Sequence, residues 1–95
     1  MFKHVESYID TNIFIDEKLP ENVLAIIREM ESYDKHCPEL YFDRVDDIDV
    51  IAKNAYTDGL ISKYTWEKIE KKYIFHAISV ANKEDAHANI DLSHP

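Results

Sequence analysis

Ninety-five residues make one domain with one small core, since a chain this size buries only about two-thirds of its unfolded surface. Nineteen acidic against eleven basic residues give a net charge of −8, which repels phosphate backbones and argues against nucleic-acid binding over the whole surface. Cys37 is alone, so no disulfide forms within the chain, and the lack of a membrane-length apolar run or signal-peptide core points to a cytoplasmic protein.

The N-terminal segment, residues 1–18, reads two ways. Phe2, Val5, Ile9 and Ile13 have helical spacing, whereas Asn12-Ile13-Phe14-Ile15 suits an extended chain. One glycine, Gly59, and three prolines, Pro20, Pro38 and Pro95, are too few turn residues for an all-β fold; they punctuate helices instead. A first helix is predicted from Pro20 to about His36, with Val23, Ile26, Ile27, Met30 and Tyr33 on one face. A second is predicted from Glu39 to Asp58. Its Tyr41, Val45, Ile48, Ala52, Ala55 and Tyr56 fill one arc, and Gly59 stands where a C-cap belongs.

Ser62 is the expected N-cap of a third helix, whose inward seam is Trp66, Ile69, Tyr73, Ala77 and Val80. Ile74, Phe75 and Ile78 fall on its other faces, so the helix needs a second cover, which the N-terminal segment is expected to supply. A strand over Tyr73–Val80 is the competing local reading, and helix is favoured. Residues 83–95 carry little apolar content and are expected to fray. The fold class is therefore all-α: a single domain over 1–95, built as a small bundle of three main helices with an N-terminal segment packed across them.

Charge is segregated along this frame. Glu39, Asp43, Asp46 and Asp47 repeat at three- and four-residue spacing opposite the apolar arc of the second helix, about 5–6 Å apart along one face. That spacing resembles successive phosphates on a nucleic-acid strand. Phe42 and Val50 project on or beside this arc, and Asp49 extends it, so the predicted partner-binding set is Glu39, Phe42, Asp43, Asp46, Asp47, Asp49 and Val50. A merely solvated acidic face is the plainer reading of the same residues. The third helix is locally positive through Lys63, Lys68, Lys71 and Lys72 against Glu67 and Glu70, which ordinary i,i+4 pairing explains.

Metal and nucleophile signals are weak. His4, His36, His76, His87 and His94 lack paired ligand spacing, and Cys37 next to Pro38 has no clear His or Asn partner. No metal, cofactor or catalytic residue is expected. One string points elsewhere: Tyr8-Ile9-Asp10-Thr11-Asn12-Ile13-Phe14-Ile15 resembles the opening strand of PIN-domain ribonucleases, and that resemblance would make Asp10 a metal ligand. It covers about eight residues, in a chain too short for that fold and without its later strands. A longer resemblance runs from Leu19 to Tyr73, through Leu19-Pro20-Glu21-Asn22-Val23, Phe42-Asp43, Asp58-Gly59-Leu60-Ile61-Ser62-Lys63 and Lys72-Tyr73. This layout resembles short accessory proteins of Gram-positive mobile elements, several of which inhibit host defence nucleases. It assigns no residue a role.

The leading expectation is a small acidic inhibitor that binds a basic partner, a nuclease or other nucleic-acid-binding protein, without contacting nucleic acid or membrane. An anti-CRISPR or antirestriction factor is the concrete case. The alternative is a non-enzymatic module that self-associates, as a homodimer, through Ile74, Phe75 and Ile78. The second alternative is a metal-dependent ribonuclease using Asp10.

Overall fold

The computed structural model describes residues 7–83, so Phe2, Val5, His4, the expected frayed tail beyond Lys83, His87 and His94 lie outside the described residues. The expected all-α bundle forms. Helix α1 spans Glu21–Tyr33 and α2 spans Pro38–Thr57; the third helix begins as α3, Lys63–Ile69. It widens into a π-helical turn over Glu70–Phe75 and stays helical through residues 76–83. There is no strand among the described residues, which overturns the extended reading of Tyr73–Val80. Among the described residues no helix is long and apolar enough to cross a membrane.

The boundaries follow local chemistry. Helix α1 ends at Tyr33 rather than His36 because Asp34 leaves the helical region at ψ 130° and Lys35 follows at φ 69°, a type II turn closed by His36 N–H donating to Tyr33 O at 3.0 Å. Pro38 opens α2 at its first turn, where a missing N–H costs nothing. Gly59, at φ 79°, closes it: Leu60 N–H donates to Ala55 O at 2.9 Å and Gly59 N–H to Tyr56 O at 3.0 Å, the two bonds of a Schellman motif. Ser62 caps α3 as expected, its hydroxyl accepting from Thr65 N–H at 3.1 Å.

That cap has a partner from far away in sequence. The Glu17 carboxylate accepts from Ser62 N–H at 3.1 Å and from the Ser62 hydroxyl at 2.9 Å. In a capping box a glutamate three residues into the helix performs this task; here position 65 is threonine, and the loop supplies the acid. Thr65 first, then the Ser62 N–H and hydroxyl, hold the Glu17 carboxyl below its ordinary range.

The core is one cluster. Val23 and Met30 of α1, Tyr41 and Ile48 of α2, and Ile69 and Val80 of the third helix are its largest fully buried side chains. The N-terminal loop, residues 7–19, joins this core and lies across the bundle as neither helix nor strand. Tyr8 and Ile9 are buried, and the Tyr8 ring meets Tyr41 at 5.3 Å and Phe42 at 5.1 Å between centroids. Polar clamps hold the loop on both sides. Asp34, at the end of α1, accepts from Tyr8 N–H at 2.8 Å and from the Ser7 hydroxyl at 2.6 Å. Lys72 donates to Ile13 O at 2.6 Å, and Lys68 to Phe14 O at 2.8 Å.

The π-helical turn and this loop are made for each other. A widened turn breaks the i→i−4 ladder, as His76 N–H bonding to Lys71 O shows, and leaves backbone carbonyls to be satisfied elsewhere. Lys72 O accepts from Asp10 N–H at 3.0 Å, and Tyr73 O accepts from the buried Tyr41 hydroxyl at 2.7 Å. The wider turn also brings Ile74, five residues past the buried Ile69, back toward the core, so that Tyr73 and Ile74 are both buried, whereas the α-helical period would leave Ile74 about 140° from Ile69.

Candidate functional site

Helix α2 presents the acidic face by simple geometry. Tyr41, Ile48, Ala52 and Ala55 point into the core, which turns the opposite side of the same helix to water. Glu39, Asp43, Asp46 and Asp49 are exposed, and Val50, one turn beyond Asp46 on the same face, is 56% exposed. Glu39, Asp43 and Asp46 make no ion pair among the described residues. Like charges three and four residues apart cost a helix about 0.2–0.5 kcal/mol per pair, so this face is not built for helix stability.

Three members of the predicted set sit differently. Phe42 is not an exposed anchor: its ring packs edge-on against Tyr8 and Tyr41 because the N-terminal loop crosses that side of α2. Asp47 is half-buried and paired with Arg44 at 3.2 Å, while Arg44 also lies 3.7 Å from Glu29 on α1. Asp49 faces the third helix, against Glu70. In place of Phe42 the face gains Leu40, which is exposed beside Glu39 and Asp43. The sequence carries a signal for it: Leu40 precedes the buried Tyr41 by one residue and is therefore turned about 100° from it.

The Asp49–Glu70 contact places two carboxyls together at the first residue of the π-helical turn. Burial raises the Glu70 carboxyl pKa, and hydrogen bonding to Asp49 with its negative charge raises it further. The Trp66 indole N–H and Lys53 pull it back in part, although that N–H is buried without a satisfactory hydrogen-bond geometry. The sign of the stability effect follows. An acid whose folded pKa is raised weakens the fold as pH climbs above its ordinary value of 4.5, because only the unfolded chain ionises it freely. Glu70→Gln is therefore expected to stabilise the protein at pH 7 by about 0.5 kcal/mol, discounted for partial exposure, and to have no effect below pH 4. Thermal melts of both proteins across that range measure it, and a loss of stability at pH 7 would contradict the pairing.

The self-association set is also split. Ile74 is only 6% exposed and belongs to the core, since the π-helical turn rotates it inward. Phe75 and Ile78 remain exposed, so the N-terminal loop does not give the third helix the second cover expected there. With Ser79, Asn82 and Lys83 they line an open groove of about 540 Å³.

Asp10, the residue of the PIN resemblance, is half-buried in a turn. Its carboxylate accepts from Asn12 N–H at 3.0 Å, and its backbone carbonyl from Ile13 N–H at 3.2 Å. The string Tyr8–Ile15 forms no strand, and among the described residues no group of three or more His, Cys, Asp and Glu is placed to hold a metal ion. The lysines are divided in their tasks. Lys68 and Lys72 clamp the loop, and Lys68 also lies 4.5 Å over the Tyr64 ring; Lys63 and Lys71 are exposed. Compared with protein-family models, curated proteins and solved structures, the chain matches none.

Proposed function

We propose that this chain is a small acidic inhibitor that binds a basic, nucleic-acid-handling protein through the outer face of α2. A cytoplasmic anti-CRISPR or antirestriction factor of a phage or mobile element is the concrete form. One observation carries the reading: three exposed carboxylates without ion pairs, Glu39, Asp43 and Asp46, form a stripe on one helix face that ends at an exposed apolar side chain, Val50. Charged groups steer a partner of opposite sign, and exposed apolar side chains beside them hold it. Glu39, Asp43 and Asp46 would occupy positions that the partner offers to phosphates, with Val50 and Leu40 as contacts. The mechanism is competition, so binding weakens steeply as salt rises.

The test is capture of host proteins by the wild type and by the Glu39→Lys/Asp43→Lys/Asp46→Lys variant, followed by a nucleic-acid-binding assay on the captured partner. The wild type is expected to retain a basic protein and to block its nucleic-acid binding. The variant is expected to lose that block while its melting temperature stays the same. Equal inhibition by the variant would end the mechanism. Exposed Phe75 and Ile78 favour a second reading, a module that self-associates through that groove without enzymatic activity.

A further inference from the structure

The third helix carries a second polar and aromatic face near its start. Phe14, on the N-terminal loop, is 76% exposed, and Tyr64, on the first turn of α3, is 66% exposed. They border a groove of about 410 Å³ whose other walls include Asn12, Lys68 and Lys71. Lys68 fixes the two sides together, since its ammonium donates to Phe14 O and lies over the Tyr64 ring. Its charge is partly answered by Asp16 at 3.9 Å, and Glu67 is exposed nearby. Lys63 and Lys71 have no ion pair among the described residues.

We propose that this face is the seat for the acidic α2 face of a second copy of the chain, so that copies associate head to tail. The two faces complement each other in kind: unpaired lysines beside exposed aromatic rings on one, a stripe of unpaired carboxylates with Leu40 and Val50 near its two ends on the other. They cannot meet within one molecule. The buried sides of α2 and α3 point toward the common core, so their outer faces point away from each other. A contact between two different surfaces leaves one of each kind open on every pair, and the assembly grows or closes into a ring. The net charge of −8 opposes it at long range, and physiological salt screens that repulsion beyond about 8 Å while contacting groups still attract. A copy in the seat would cover the face assigned to the foreign partner, yet the association needs no partner to be measured.

The experiment is sedimentation of the full chain at rising concentration, with two charge-reversed variants. One reverses the seat, Lys63→Glu/Lys71→Glu; the other reverses the acidic face, Asp43→Lys/Asp46→Lys. The wild type is expected to gain mass with concentration, and each variant alone to associate about tenfold or more weakly. Mixed in equal amounts the two should regain association, because each seat then meets a face of opposite sign. Both variants remain net negative, so general attraction does not explain recovery. Circular dichroism checks that each is folded. Phe75→Glu is expected to associate like the wild type. A monomer at every concentration, a mixture that fails to recover, or an assembly dissolved by Phe75→Glu would each overturn the proposal; the last would favour the Phe75–Ile78 groove.

Discussion

Tyr41→Phe is expected to lower the melting temperature by roughly 10 °C, although it removes one oxygen atom and keeps the ring. Tyr41 is fully buried, and its hydroxyl donates to the Tyr73 carbonyl at 2.7 Å, within the π-helical turn. Burial first, then Asp34 and Tyr73, raise the pKa of that phenol, so it remains a proton donor wherever the protein is folded. Without it the Tyr73 carbonyl loses this buried hydrogen bond, at about 2 kcal/mol. A domain of this size converts that into several degrees per kcal/mol. Hydrogen exchange should show where the loss falls: the His76 amide, bonded across the turn to Lys71 O, is expected to exchange faster than amides in α1. A melt shifted by less than about 2 °C would mean that the carbonyl finds another donor.

Asp34→Ala is expected to cost about 2–3 kcal/mol and to free the start of the N-terminal loop. One carboxylate accepts both the Tyr8 N–H and the Ser7 hydroxyl, and hydrogen bonds to a charged acceptor are worth more than neutral ones. Losing them leaves Tyr8 held by its ring contacts with Tyr41 and Phe42, and uncovers the core on that side. Asp34→Asn keeps an acceptor for the Tyr8 amide and should recover about half of the loss. Chemical denaturation measures both, with exchange of the Tyr8 amide as the local readout. Equal stability of the alanine variant and the wild type would show that the Asp34 carboxylate does not hold the start of the loop.

These two sites also mark the limit of what sequence reading reaches. The helices were legible because each one's apolar residues recur at helical spacing and each end carries its own chemistry, at Pro38, Gly59 and Ser62. The acidic outer face of α2 was legible for the same reason: once Tyr41 and Ile48 face inward, Asp43, Asp46 and Val50 must face outward. Phe42 was not legible as a packed residue, because what covers it is Tyr8, thirty-four positions away along the chain. Ile74 was misplaced because the α-helical period fails inside the turn Glu70–Phe75. No local pattern announces that turn, since it depends on Asp10 and Tyr41 arriving with donors for Lys72 O and Tyr73 O.

By itself the sequence determined three helices, their inward faces and the separation of acidic from basic surface, all of which follow from periodicity and caps within a few residues. Tertiary structure alone decided which of those surface groups stay unpaired. It tied Asp47 to Arg44, turned Asp49 toward Glu70 and spent Lys68 and Lys72 on loop carbonyls. Glu39, Asp43 and Asp46 on one side, and Lys63 and Lys71 on the other, were left open to water. The reason is physical: a side chain's orientation is set by its own helix, but its partner is set by what the fold brings within hydrogen-bonding distance.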